Sequence, residues 1–108
     1  MAKYTLIASR DPFESKGSAE YFQLATDLKR DGNDVTVFLV QNAVLGARKG
    51  PAAAELSKLT DAGVSVLADS FSLRERGIRS ERLATGVRTS EIDVIVDHMA
   101  EGRKVVWH

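Results

Sequence analysis

Asp69, Ser70 and Ser72 stand where the apolar run Val64-Ser65-Val66-Leu67-Ala68 gives way to Phe71-Ser72-Leu73-Arg74-Glu75-Arg76-Gly77-Ile78. A carboxylate there has two uses. It can accept a backbone N–H near Ser72 as the N-cap of a helix from Ser70 to Arg76, which stabilises by about 1 kcal/mol, or it can act as a general base or polar ligand group. Ser9-Arg10-Asp11 ends an earlier apolar run and Gln41-Asn42 ends another. In a parallel sheet such strand ends lie along one edge, the edge where open α/β sheets bind ligands. Ser9, Arg10, Asp11, Gln41, Asn42, Asp69, Ser70, Ser72 and Arg74 are therefore the candidate ligand-binding residues. None is assigned as catalytic.

Arg74, Arg76, Arg79 and Arg82 recur at spacings near three, which gathers guanidinium groups on one side if the chain stays helical. Such groups bind phosphate or carboxylate bidentately. Glu75 and Glu81 interrupt the series, and mixed-sign runs usually form solvated or interfacial surface. Arg10 beside Asp11 is expected to pair locally or across an interface. His98 falls off the apolar stripe of its segment and should be exposed, with no second histidine at ligand spacing. His108 is expected to fray, and Trp107 to pack at an edge or a subunit contact.

The 108 residues fit one domain, 1–108, large enough to bury a core without disulfides or a structural metal. Charges balance at 15 basic and 15 acidic residues, which argues against general affinity for nucleic acid or an anionic membrane. A protein or a small ligand, an anion among the candidates, is the expected partner. Cysteine is absent, so thiolate metal sites, disulfides and thiol chemistry are excluded for this polypeptide acting alone. No metal and no cofactor is expected. The run after Met1-Ala2-Lys3-Tyr4 is too short for a signal sequence or a membrane span, so a cytoplasmic protein is expected.

The elements that must position these residues alternate along the chain. Tyr4 to Ser9 reads as a first strand, followed by a loop to about Gly17. Ser18 is expected to cap a helix burying Tyr21, Leu24, Ala25 and Leu28, with Asp31-Gly32 as its stop. From Asp34 to Val40 both faces are apolar, Val35, Val37 and Leu39 on one and Phe38 and Val40 on the other, as in a central parallel strand. A loop from Gln41 to Gly50 precedes Pro51 and a helix carrying Ala52, Leu56 and Leu59, ended by Ala62-Gly63. Val64 to Ala68 is the third strand, and Leu83 to Val87 a weak fourth. Ser90 with Asp93 suggests a capping box for a helix burying Ile92, Ile95, Val96 and Met99, and Lys104 to Trp107 is the last strand. The pattern implies an α/β protein, a three-layer α/β/α sandwich with a mostly parallel five-stranded sheet of the flavodoxin-like class.

The segment from Val64 to Ile78 resembles the strand-loop-helix of the DsrE/DsrF-like sulfur-relay family. The order of elements, the long loops after strands one and two, and Arg76-Gly77-Ile78 extend the likeness over nearly the whole chain. The resemblance implies a trimer or hexamer, homomeric or built with related subunits, whose strand-end loops line shallow sites near subunit contacts. It also implies a persulfide-carrying cysteine in this loop, where Asp69 stands here. A carboxylate cannot form and break sulfur–sulfur bonds, nor can the Ser72 hydroxyl take over that role. This subunit alone is thus expected not to relay sulfur.

Three readings follow. The first is a non-catalytic oligomeric subunit of that family that binds a partner or ligand through its strand-end loops. The second is a small anion binder or enzyme in which Asp69 works with Arg10 or Arg74. The third is a receiver-like phosphoacceptor at Asp69, which lacks the paired acids after strand one and the lysine at the end of the last strand.

Overall fold

In the computed structural model, which describes residues 1–15 and 17–108 and leaves the side chain of Ala52 outside the described residues, the doubly apolar segment forms the middle of a five-stranded sheet. Strands β1 (Lys3–Ala8), β2 (Asp34–Leu39), β3 (Ser65–Asp69), β4 (Val87–Ser90) and β5 (Lys104–Trp107) lie in the order β4-β3-β2-β1-β5, and all four pairings are parallel. Ala8, Leu39, Ala68 and Thr89 sit in one cross-sheet row. Ser9, Val40, Asp69 and Ser90 therefore follow together at the carboxyl edge.

The period-two alternation of β2 divides two apolar layers. Val35, Val37 and Leu39 join Tyr21, Phe22 and Ala25 of α1 (Ser18–Arg30), Leu56 and Leu59 of α2 (Ala54–Asp61), and Leu73 of α3 (Ser70–Glu75). Phe38 and Val40 face the other way, onto Ile7 and onto Ile95 of α4 (Asp93–Ala100). Three helices cover one face and one helix the other. The single β4-to-β5 connection crosses the whole sheet, which carries α4 to the sparsely covered side.

Several expectations need correction. Gly17, not Ser18, caps α1, and Ser18 is buried inside the first turn. Phe22 enters the core while Leu24 is 43% exposed. Gln41–Ala47 is a 3-10 segment with Ala43, Val44, Gly46 and Ala47 buried, not an open loop. It holds the floor of the carboxyl edge. Pro51 opens a 3-10 turn, Pro51–Ala53, that leads into α2. Leu83 and Ala84 are not a strand but a buried tether: residue 83 bridges residue 48 antiparallel, and the Ala84 N–H donates to the Ala47 carbonyl at 2.8 Å. β4 begins only after the turn at Gly86.

The helix α4 departs most from its expected orientation. Ile92 is its N-cap residue and no side chain caps it, so Ser90 and Asp93 form no capping box. Ile95 and His98 face the sheet, whereas Ile92, Val96 and Met99 are 51%, 66% and 57% exposed. At 100° per residue, positions 94, 95 and 98 share one face and 92, 96 and 99 the next. The sheet selects the first, because Thr5, fully buried on β1, requires a hydrogen-bond partner. His98 Nδ1 supplies it, 2.7 Å from Thr5 Oγ1.

His108 is also held. Its N–H donates to the Ile7 carbonyl at 2.9 Å, and its ring stacks on Tyr21 with centroids 4.8 Å apart. The Tyr21 hydroxyl lies 3.0 Å from the Ile7 carbonyl and 2.8 Å from that of Val106, tying edge strand β5 to β1. Burial pushes the phenol up to about 12, against the opposing effect of the hydrogen bond to Ile7.

Two stability predictions follow from this packing. A Cβ on Gly46 would stand 2.6 Å from Pro12 Cγ, a rigid ring atom of the first loop. Gly46→Ala is expected to lower stability by about 1–3 kcal/mol in urea unfolding. His98 sits below the ordinary histidine pKa of 6.5, first because it is buried and second because Arg103 is near, with Glu101, Asp34 and Asp97 opposing. The unfolded chain then binds more protons than the folded one below 6.5, so this contribution is present above 6.5 and is lost as pH falls toward the lower folded value. Melting temperature should drop over that interval in the parent protein, and the slope should be smaller in His98→Gln.

Candidate functional site

Asp69 ends β3 and caps α3, and its carboxylate is buried at 6% exposure. Oδ2 accepts the Ser72 N–H at 3.0 Å and the Ser72 hydroxyl at 2.7 Å. With its proton on Asp69, Ser72 Oγ accepts the Gln41 N–H at 2.8 Å. The β3-α3 corner is thereby fastened to the start of the 3-10 segment after β2. Gln41 adopts φ 52°, a left-handed conformation uncommon for a residue with a side chain and costing on the order of 1–3 kcal/mol. The Ser72 bond is what its amide gains there.

The strand ends open into several clefts, not one. Asp69, Ser72 and Gln41 line a cleft of about 470 Å³ together with Arg76, Glu75 and the apolar surfaces of Phe71, Ile92 and Trp107. Ser9, Arg10, Asp11, Gln41 and Asn42 line a neighbouring cleft of about 600 Å³ with Glu14 and Ser15. Gln41 is shared by the two. Ser70 and Arg74 lie elsewhere, in a cleft of about 630 Å³ with Arg79, Ser80, Glu81 and Thr89. The reason is helical geometry, since residues 70, 73 and 74 share the face of α3 opposite to 71, 72 and 75.

Polar groups at the first loop serve local structure. Asp11 Oδ1 accepts the Phe13 N–H at 2.9 Å, an Asx-turn. Arg10 is exposed and forms no ion pair among the described residues. Ser9 Oγ accepts the Trp107 indole N–H at 3.1 Å and donates to the His108 carbonyl at 3.2 Å. Trp107 thus lies flanking the Asp69 cleft, 63% exposed.

Arg76 is the arginine that reaches Asp69's cleft, in place of Arg10 or Arg74. Its Nε and Nη2 donate to Asn42 Oδ1 at 3.2 and 2.9 Å, and Nη1 donates to the Ser72 carbonyl at 3.2 Å. The arginine series does not stay on one side, because Gly77 takes φ 65° and turns the chain out of α3. Arg76 and Arg82 instead meet Arg48 and Lys49 around a cleft of about 410 Å³. The sequence signal for that meeting, the dibasic Arg48-Lys49 before Gly50-Pro51, carried no weight without the tether at residues 83 and 84. Lys104 opens β5, at the end of the sheet opposite Asp69, so a receiver-like arrangement is not formed.

Comparison with known proteins bears on these features. A family model described as the DsrE/DsrF-like family matches residues 2–107. A search among curated proteins returns no match. Among solved structures, the YchN protein of E. coli aligns with TM-score 0.91 at 23% identity, over 100% of both chains. MTH1491 of Methanobacterium thermoautotrophicum, a protein of unknown function, aligns with TM-score 0.87 at 21% identity over 100% of both chains. BT1422 of Bacteroides thetaiotaomicron, also of unknown function, aligns with TM-score 0.81 at 15% identity, over 98% of this chain and 94% of that one. At these identities the likeness concerns the all-parallel α/β fold.

Ser72→Ala removes the Asp69 contact and strands the Gln41 N–H. We expect a loss of about 1–3 kcal/mol in urea unfolding, with faster hydrogen exchange at the Gln41 amide. An unchanged Gln41 exchange rate would show that the three groups are not coupled.

Proposed function

Because the chain belongs to the DsrE/DsrF-like family, we propose that it is an oligomeric subunit without persulfide chemistry, one that binds a protein partner or small ligand through its strand-end loops in a process linked to intracellular sulfur metabolism. The observation that carries this reading is the state of Asp69. It stands where the family resemblance implies a reactive cysteine, and it is a buried helix cap with Oδ2 occupied by Ser72. The position has become structural. A carboxylate there can hold loops in place but cannot exchange sulfur.

Assembly is supported by the outward face of α4. Ile92, Val96 and Met99 form an apolar stripe at spacings of four and three, all more than half exposed, and Trp107 and Phe71 are exposed at 63% and 59%. Ile92, Phe71 and Trp107 also line the Asp69 cleft. A copy of this chain, or a related subunit, seated on α4 would cover the stripe and narrow the cleft at the contact. Exposed apolar area of this kind marks interaction surfaces. The cleft is built for docking, with apolar walls and a few fixed polar groups.

The native mass tests this. Sedimentation at micromolar concentration should give a trimer or larger assembly for the parent protein and a smaller species for Val96→Asp, with the circular dichroism spectrum unchanged because Val96 is 66% exposed. A strict monomer for the parent protein would defeat the oligomeric reading.

A further inference from the structure

Arg48, Lys49, Arg76 and Arg82 line one cleft of about 410 Å³, and its other lining residues, Pro51, Gly77 and Ile78, carry no charge. The whole chain is balanced at 15 basic and 15 acidic residues, yet no carboxylate contributes to this wall. Glu75 and Glu81, which interrupt the arginines in sequence, line two other clefts. None of the four cations forms an ion pair among the described residues.

The cations come from separate segments and are gathered by backbone, not by chance contact of long side chains. The Lys49 N–H donates to the Arg82 carbonyl at 2.8 Å, residue 48 bridges residue 83, and the Ala84 N–H donates to the Ala47 carbonyl at 2.8 Å. Ala47, Leu83 and Ala84 are buried at 0%, 5% and 7% exposure, so this junction is anchored in the core. Arg76 is held by Asn42 and the Ser72 carbonyl. Arg48 Nε donates to the Leu45 carbonyl at 3.1 Å, which leaves both terminal nitrogens free of protein partners among the described residues. Four like charges gathered at one concavity repel one another and attract a compact counter-charge.

We propose that this cleft is a binding site for an oligophosphate group, free or carried by a nucleotide. A single phosphate could engage only part of this cationic wall, whereas two or three linked phosphates can take bidentate bonds from Arg48 and Arg82 and a point charge from Lys49, with Arg76 adding its charge from a fixed position. The volume lies within the range of small-molecule sites. A concave, carboxylate-free pocket differs from the extended basic stripe that nucleic acid requires. The site shares Arg76 with the Asp69 cleft but does not rest on the function proposed above.

Titration calorimetry with pyrophosphate, and separately with ADP, tests it at low ionic strength. Both probes should bind saturably and weaken as salt rises. Tighter binding of ADP would identify a nucleotide, and equal binding the phosphates alone, either of which supports the site. Arg48→Gln combined with Arg82→Gln should weaken both probes at least about 10-fold, given the strength of charge-assisted hydrogen bonds. Arg82→Lys should retain more affinity than Arg82→Gln. Arg30→Gln, on the exposed face of α1 beside Asp27, should bind as the parent does, and thermal melts should confirm that the variants fold. Non-saturable binding by the folded parent, or undiminished affinity in the folded double variant, overturns the proposal.

Discussion

One hydroxyl holds the carboxyl edge of this protein together. Ser72 Oγ gives its proton to Asp69 and receives the Gln41 N–H, so a helix cap on one strand becomes a strut to the loop of the next. That acceptor helps offset the strain of the left-handed backbone at Gln41. From the same corner the Ser72 carbonyl and Asn42 fix Arg76. Arg76 thereby forms part of the wall of both the Asp69 cleft and the cationic cleft. Placement of Gln41 and Arg76 at this edge traces back to the hydroxyl and carbonyl of Ser72 and to Asn42.

The sheet itself is clothed unevenly. Its α1-α2-α3 side holds the larger apolar layer, and among the described residues α4 alone covers the opposite side. That helix is anchored by polar chemistry as much as by packing: His98 meets Thr5, and Arg103 just beyond it joins Asp34 and Glu101 at 3.1 Å each. An inner face made of Ile95 and a neutral imidazole leaves most of the apolar stripe to solvent or to a neighbour. A helix oriented to satisfy a buried hydroxyl can thus present its hydrophobic side outward, and this gives the fold a surface suited to assembly.

Much of the architecture was legible in the residues. The doubly apolar Asp34 to Val40 segment marked the sheet centre, and Lys104 to Trp107 marked the final strand at its observed bounds. Asp69 was readable as a cap of Ser72 because aspartate before a short helix has few better options. Three features were not legible. The stripe Ile92, Ile95, Val96 and Met99 has helical period, but periodicity does not say whether another element of the same chain or another molecule covers it. Leu83 to Val87 reads as a weak strand, but Leu83 and Ala84 are buried in a tether to residues 47 and 48 and the strand begins only at Val87. The Gln41 to Gly50 loop hid a 3-10 segment, since short residues such as Ala43, Gly46 and Ala47 carry little pattern.

By itself the sequence determined the alternation of strands and helices and the absence of any thiol, and offered a cap as one of two uses of Asp69, since each depends on residue type and near neighbours. Only the tertiary structure decided which charges meet. Arg48 and Arg82 are 34 positions apart in the numbering of the chain, and a backbone bridge between otherwise ordinary loops brings them to one cleft. It also decided that Arg74 and Asp69 part company, and that His98 lies inside while Met99 lies out. Long-range hydrogen bonds made those choices, and a linear pattern holds no record of partners so distant.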